Sequence, residues 1–269
     1  MSKREVSPLG ATAETVSTVL RTPRLLELMA LGHAAPPGAP LLISGEPGVG
    51  KDTLARLVHE ASARRRHAFI KVNCAARPSE HLEGHLFGRD KDASVPERRR
   101  CPGSLEFANA GTLYLDEIDA IPGPLVEKLL RAVQARKVSR CGAHESIHVD
   151  VRLMASTAAN TAETRGDVWE ELRRLGAVEL RVPPLRDRPE EIVAFASFFM
   201  DRHNRGLHRE TRLPPDVLGA YQADSWPGNL RPGGGGAPSG GGRRAPVRGV
   251  NARLWGCNLL LRTRRLCVL

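Results

Sequence analysis

The residues best suited to chemistry form a glycine-rich run, Gly45-Glu46-Pro47-Gly48-Val49-Gly50-Lys51. It follows an apolar stretch over 41–44 that predicts a buried strand, and it precedes a helical pattern over 54–63. Glycines let backbone N–H groups turn toward phosphate oxygens, a helix N-terminus favours negative charge, and a lysine reaches the outer phosphates. The order of strand, G-x-x-x-x-G-K and helix therefore predicts a phosphate-binding loop, with a chance glycine turn as the alternative.

The two residues after this lysine complete the expected nucleotide contacts. The general motif has Ser or Thr directly after the lysine to hold Mg²⁺. Here Asp52 takes that position and Thr53 follows it. We expect residues 45–53 to bind the phosphates of a nucleotide, and we note Asp52 as a departure from the general pattern.

A second chemical cluster is the apolar run Leu113-Tyr114-Leu115, which ends in Asp116 and Glu117. In nucleoside triphosphatases the first acid of such a pair helps hold Mg²⁺, and the second polarises the attacking water. We therefore predict that Asp116 is a Mg²⁺ ligand and that Glu117 is catalytic. Acidic strand ends are common, so the prediction depends on the phosphate-binding loop upstream.

The elements around these residues alternate between short apolar runs and helical patterns. Strands are predicted at 41–44, 69–72, 112–115, 149–155 and 177–182, and helices from Pro23, over 54–63 and over 125–136. This alternation predicts an α/β fold with a parallel sheet. After Pro189 the pattern becomes helical over 190–204 and 214–223, which predicts a small helical domain.

These patterns divide the chain into four segments. We expect a flexible lead-in over 1–20, an α/β nucleotide-binding core over 21–189 and a partial helical lid over 190–231. Residues 232–269 contain two runs of glycine and seven arginines without an acid, and we expect this tail to be disordered. Seven of the ten net positive charges therefore lie in the tail, which leaves +3 for residues 1–231.

Composition excludes several classes of protein. With 269 residues, of which 41% are hydrophobic and 26% charged, the chain matches a soluble globular protein. No apolar stretch is long enough to span a membrane. The five cysteines are odd in number and never spaced C-x-x-C, so we expect no disulfide framework or metal knuckle, and a cytoplasmic location.

Several stretches resemble the AAA+ ATPase domain of sigma-54-dependent transcription activators, the bacterial enhancer-binding proteins. The resemblance implies a P-loop AAA+ parallel-sheet core with a truncated helical lid, a homo-oligomeric ring, and ATP hydrolysis that remodels sigma-54 RNA polymerase. An acid after the P-loop lysine is usual in that family. The matching stretches come in family order over roughly 21–231: LLISGEPGVGKD (41–52), FIKVNCAA (69–76), HLFG (85–88), GTLYLDEID (111–119), EKLLRAVQ (127–134), VDVRLMAST (149–157), VPPLRDRPEEI (182–192) and SWPGNLR (225–231).

The same resemblance assigns roles to further residues. Asn73 matches the switch asparagine that restrains Glu117, although an asparagine there could simply cap a turn. Arg231 matches the sensor II arginine that contacts the γ-phosphate from the lid. Arg186 and Arg188 match the PPLRER-like turn at the junction of core and lid, with solvated arginines as the alternative.

Three departures from the family pattern are visible. The GAFTGA loop that touches sigma-54 is replaced by Asp92-Ala93-Ser94-Val95-Pro96-Glu97, a polar sequence that argues against this contact. The sensor I asparagine is Ala158. Of the two arginines that the family presents to a neighbouring subunit, Arg174 matches the second, and the first falls on Val168 or Trp169.

Three functions remain open at this point. The chain is a sigma-54-linked ATPase, a nucleotide-binding remnant with weak or no hydrolysis, or a nonspecific nucleic-acid binder that acts through its basic tail. No helix-turn-helix pattern appears in 237–269, so specific DNA binding is not expected. The tail composition is also what GC-rich DNA encodes when it is read out of frame.

Overall fold

The structure is a computed structural model that describes residues 22–90, 101–143, 145–158, 166–207 and 215–230. The predictions for the lead-in 1–20, the loop 92–97, Arg231 and the tail 232–269 lie outside these residues. Within them the chain forms two compact units. One contains residues 26–45 and 51–182, and the other contains residues 22–25, 46–50 and 183–230.

Helices and strands alternate along most of the described chain, and short 3-10 turns follow β5 and β9. The elements are α1 (Pro23–Ala34), β1 (Leu41–Ser44), α2 (Lys51–Ala61), β2 (Phe69–Asn73), α3 (Ser79–Phe87), β3 (Gly88–Arg89), β4 (Cys101–Pro102), α4 (Ser104–Phe107), β5 (Thr112–Asp116), α5 (Gly123–Ala135), β6 (Lys137–Ser139), β7 (Ser146–His148), β8 (Arg152–Thr157), α6 (Gly166–Arg174), β9 (Val178–Arg181), α7 (Pro189–Leu207) and α8 (Pro215–Gln222).

The first unit contains a five-stranded parallel sheet in the order β2-β5-β8-β1-β9. Leu41 at the start of β1 pairs with Met154 on one side and with Val178 on the other. Every residue of β1 and of β8 is buried, as strands covered on both faces require. The predicted α/β class and the parallel sheet are therefore confirmed.

Some predicted boundaries are wrong. The strand predicted over 149–155 is β8, which begins only at Arg152, because Val149 and Val151 are buried in the core without joining the sheet ladder. The helix predicted over 54–63 begins at Lys51, directly after the glycine loop. Three helices of the described chain, α3, α4 and α6, and two two-stranded sheets had no sequence prediction.

Each face of the sheet has its own packing. On one face an apolar cluster fills the space against α3 and α5. On the other face α2 makes polar contacts: the His59 ring lies 2.9 Å from the Thr112 hydroxyl, and the Tyr114 hydroxyl donates to Asp52 over 3.0 Å. Buried members of the apolar cluster include Val72, Leu82, Leu86, Phe87, Leu113, Leu115, Val126, Leu129 and Leu153.

The second unit contains α7, which packs on α8. A buried ion pair lies at the start of α7, where Arg188 Nη1 donates to Glu191 over 2.6 Å and both side chains are 1% exposed. Thr22 also donates to Glu191, over 2.5 Å. Among the described residues, no helix has the length and apolar character needed to cross a membrane.

Candidate nucleotide-binding site

The glycine loop adopts a backbone that only glycine accepts without strain at two positions. Gly48 has a φ of +82° and Gly50 a φ of +98°, both in the left-handed region. A side chain at either position would add conformational strain. The spacing of glycines in the sequence therefore has a direct structural reason.

Three successive carbonyl groups of this loop are hydrogen-bonded within the second unit. Asn229 Nδ2 donates to the Pro47 carbonyl over 3.1 Å, and the Leu230 N–H donates to the Gly48 carbonyl over 3.0 Å. Arg188 Nη2 donates to the Val49 carbonyl over 3.2 Å. These three carbonyl oxygens therefore already have hydrogen-bond donors inside the unit.

Glu46 is held by the same unit. Arg186 donates to its two carboxylate oxygens over 3.0 and 2.6 Å, and Asn229 Nδ2 lies 3.1 Å from one of them. The Arg186 hydrogen bond lowers the pKa of Glu46, with a smaller contribution from Asn229. The Glu46 carboxylate therefore binds Arg186 and Asn229 in this structure, whereas the sequence suggested only that it contacts nucleotide.

Lys51 is the first residue of α2 and is only 9% exposed. Its Nζ donates to the Gly45 carbonyl over 2.7 Å, which connects the start of α2 to the residue after β1. Burial lowers the pKa of Lys51, and the charges of Asp116 and Asp52 oppose that shift. The lysine and the acids at the end of β5 therefore act on each other electrostatically.

Ser156, near the end of β8, positions both acids that follow β5. Its hydroxyl donates to Asp116 over 2.7 Å and accepts the Glu117 N–H over 3.1 Å. Glu117 has a φ of +58°, a strained conformation for a residue with a side chain. The hydrogen bond to its backbone N–H helps to hold that conformation.

The charge state of Asp116 follows from its surroundings. Burial alone would raise the pKa of this carboxyl. The Lys71 ammonium, the Ser156 hydroxyl and the Lys51 charge outweigh burial and lower the pKa below its usual value. Asp116 is therefore ionised at neutral pH.

Lys71 connects Asp116 with Asp52. Its ammonium forms an ion pair with Asp116 over 2.9 Å and also pairs with the Asp52 carboxylate. The Tyr114 hydroxyl donates to the other Asp52 oxygen over 3.0 Å. The residue that departs from the general motif is thus tied to β2 and β5.

These carboxylates suit a magnesium ion that arrives with a nucleotide. Mg²⁺ prefers oxygen ligands and is commonly bound by one or two carboxylates together with phosphates. Asp116 and Asp52 both reach the same ammonium, so their oxygens face one cation position. In the described ranges, no cluster of three or more His, Cys, Asp or Glu side chains forms a complete metal site. Two carboxylates at one cation position fit a metal that phosphates help to bind.

The residues expected to sense nucleotide lie near the same strand ends. Asn73, at the end of β2, accepts the Ala76 N–H over 3.0 Å through its side-chain oxygen, which is a turn cap. Thr157, at the end of β8, donates to Asp119 over 2.6 Å. Ala158 follows it and is exposed.

Arg174, the predicted trans-acting arginine, lies at the end of α6. Its guanidinium pairs with Glu171 over 2.7 Å, and its side chain is 72% exposed. An exposed arginine is accessible to a neighbouring subunit. Its role in trans remains a prediction, as do the nucleotide roles of Asn73 and Glu117.

Sequence reasoning missed three residues that hold this site together: Lys71, Tyr114 and Ser156. A lysine in the middle of the apolar strand FIKVN was an available signal. Strand pairing brings Tyr114 and Ser156 to the same place: Lys71 pairs with Tyr114, and Leu115 pairs with Ala155, the residue directly before Ser156.

A glycine loop that ends in lysine follows one strand, and paired acids follow another strand of the same sheet. Together with this strand order, they define a P-loop core of the AAA+ class. The family model of the sigma-54 interaction domain matches residues 20–179. The chain belongs to that family.

Curated relatives support the same family. The chain is 42% identical over 197 residues to the regulatory protein AtoC of Escherichia coli, covering 72% of this chain and 43% of AtoC. It is 36% identical over 245 residues to the transcriptional regulatory protein FlbD of Caulobacter vibrioides, covering 85% of this chain and 54% of FlbD. The chain therefore spans about half the length of these relatives.

Solved structures show the same fold. NtrX from Brucella abortus in complex with ADP has a TM-score of 0.66 at 32% identity, over 78% of this chain and 48% of that one. NtrX in complex with ATP has a TM-score of 0.67 at 30% identity, over 82% of this chain and 51% of that one.

Proposed function

We propose that this chain binds ATP with Mg²⁺ and hydrolyses it, as the ATPase domain of a bacterial, cytoplasmic regulator of sigma-54-dependent transcription. Two findings support the proposal: the sigma-54 interaction domain covers residues 20–179, and the related NtrX was solved with ADP and with ATP. The observation that carries it is the Ser156 hydroxyl, which donates to Asp116 and accepts the Glu117 N–H, so that both acids are held at the end of β5.

Each residue has a role in this proposal. The backbone of residues 45–51 and the Lys51 ammonium bind the phosphates. Asp116 and Asp52 would hold Mg²⁺, which neutralises phosphate charge when bound. Glu117 orients and polarises the attacking water, and its backbone hydrogen bond to Ser156 fixes the position from which it acts.

The site is completed by a second copy of the chain. We propose a homo-oligomeric ring in which Arg174 of one subunit reaches the nucleotide of the next. The exposure of Arg174 supports this role, because its guanidinium can exchange Glu171 for an external anion. An arginine of this kind contributes about 10³-fold or more to turnover.

Sigma-54 RNA polymerase is the partner that family membership suggests. Contact with it has a separate test, because residues 92–97 differ from the loop that the family uses. Open-complex formation by this chain at a sigma-54 promoter would support the contact. If no open complex forms although ATP hydrolysis is intact, the chain acts on another target.

The proposed hydrolysis is tested with Glu117→Gln in the full chain. We expect this variant to bind ATP as the unmodified chain does and to lose turnover, because the amide cannot accept a proton. Glu60→Gln, at an exposed position on α2, is the matched control and should retain turnover. Unchanged hydrolysis in the Glu117→Gln variant would overturn the assignment, and ATP binding without turnover in the unmodified chain would indicate a nucleotide-binding remnant.

A further inference from the structure

A single lysine pairs with both of the carboxylates proposed to bind the metal. Lys71 Nζ lies 2.9 Å from an Asp116 oxygen and forms a second, short ion pair with Asp52. Both acids pair with a side chain that is 35% exposed. The ammonium thus occupies the position between the carboxylates at which their negative potential is greatest.

The two carboxylates need a cation at this position. Asp52 stands where the general motif has an uncharged hydroxyl, so the site carries one more negative charge than that motif supplies. Like charges held this close repel each other unless a cation lies between them. Lys71 supplies that cation, because its ammonium pairs with both carboxylates.

We propose that Lys71 is a tethered counter-ion that competes with the divalent cation for Asp52 and Asp116. It keeps the nucleotide-free chain from binding free Mg²⁺ tightly, so that the metal binds together with the nucleotide. The inference rests on the proposed nucleotide binding. Lys71 is therefore a positioning residue and not a catalytic one.

The Tyr114 ring gives the ammonium a further partner beside the carboxylates. Lys71 lies opposite Tyr114 in the register of β2 and β5. Its Nζ is 5.8 Å from the centre of the Tyr114 ring, within the range of a cation–π interaction. A flexible lysine stem can move away from the carboxylates and stay near that ring without moving the strand.

The test measures Mn²⁺ binding to the full chain without nucleotide, by electron paramagnetic resonance. Lys71→Met removes the charge and retains most of the apolar stem. We expect it to bind Mn²⁺ at least about tenfold more tightly than the unmodified chain, because one competing charge is gone. Lys71→Arg retains the charge and should match the unmodified chain.

Lys128→Met is the matched control, since Lys128 also forms an ion pair, with Glu83, but on another part of the unit. Equal Mn²⁺ affinity in the Lys71→Met variant and the unmodified chain would overturn the proposal. So would a Lys71→Arg variant that behaves like Lys71→Met. If circular dichroism shows that Lys71→Met does not fold, Lys71→Gln replaces it, with the same expected result.

Binding of a fluorescent ATP analogue in the presence of Mg²⁺ is measured in parallel. Failure of the unmodified chain to bind the analogue would contradict the proposed function. The Mn²⁺ comparison would still decide whether Lys71 competes with a divalent cation. The two failures are thus distinguishable.

Discussion

Asn229 donates a 3.1 Å hydrogen bond to Glu46, a residue 183 positions earlier in the chain. The same amide reaches the Pro47 carbonyl, and its oxygen accepts the Leu185 N–H over 2.7 Å. The buried Asn229 side chain thus connects its own segment both to the glycine loop and to the segment of Leu185. The sequence SWPGNLR, a family signature near the end of the described chain, therefore has a structural task at the phosphate-binding loop.

The first prediction concerns this amide. Asn229→Ala leaves a buried N–H and a carbonyl without their partner, which should reduce the free energy of unfolding by about 1–3 kcal/mol. We also expect weaker ATP binding, because the loop loses a support. Urea denaturation and ATP titration check both effects. Gln222→Ala, at an exposed position, is the control, and equal stability of the two variants would contradict the prediction.

The second prediction concerns the buried ion pair of the second unit. Arg188→Met leaves the Glu191 carboxylate buried without its guanidinium and should cost about 3–5 kcal/mol of unfolding free energy. The double variant Arg188→Met with Glu191→Met should recover much of that loss, because no buried charge remains. Chemical denaturation measures both. A double variant as unstable as Arg188→Met alone would show that the pair is not the cause.

The third prediction is a pH dependence. The pKa of Asp116 is lowered in the folded chain, so the stability that its ionised form contributes is present above the unfolded pKa and is lost as pH falls through the folded pKa. The difference in unfolding free energy between the unmodified chain and Asp116→Asn should therefore shrink from about pH 5 toward about pH 3. A difference that stays constant over this range would contradict the assigned direction.

The fourth prediction concerns the thiols. Burial raises the pKa of Cys74 to about 12, and Cys101 is exposed. Because the thiolate is the reactive form, iodoacetamide at about pH 8 should modify Cys101 in the native chain and Cys74 only after unfolding. Mass spectrometry of the labelled peptides distinguishes the two sites. Equal labelling rates in the native chain would show that Cys74 is not protected.

The sequence predicts those features whose physics is local. The five sheet strands follow from short apolar runs, and the phosphate-binding loop follows from glycine spacing that the positive φ values of Gly48 and Gly50 explain. The boundary of β8 could not be predicted this way. Val149 and Val151 are as apolar as strand residues, but they are buried in the core before the ladder begins.

The contacts among distant residues were not predictable from local pattern. Nothing in the sequence shows that Lys71 bridges Asp52 and Asp116, because that contact depends on the pairing of β2 with β5 and on the position of α2. The same holds for Arg186 and Glu46, which are 140 residues apart. A solvated arginine was the alternative for Arg186, and the structure shows it paired instead.

We propose that this chain is an ATPase completed by a neighbouring copy. The most direct measurement is steady-state ATP hydrolysis by the full chain over a range of protein concentrations, with Lys51→Ala and Arg174→Ala variants. We expect specific activity that rises with concentration, disappears in Lys51→Ala and falls about 10³-fold in Arg174→Ala. Hydrolysis at background level at every concentration, with ATP binding intact, would contradict it.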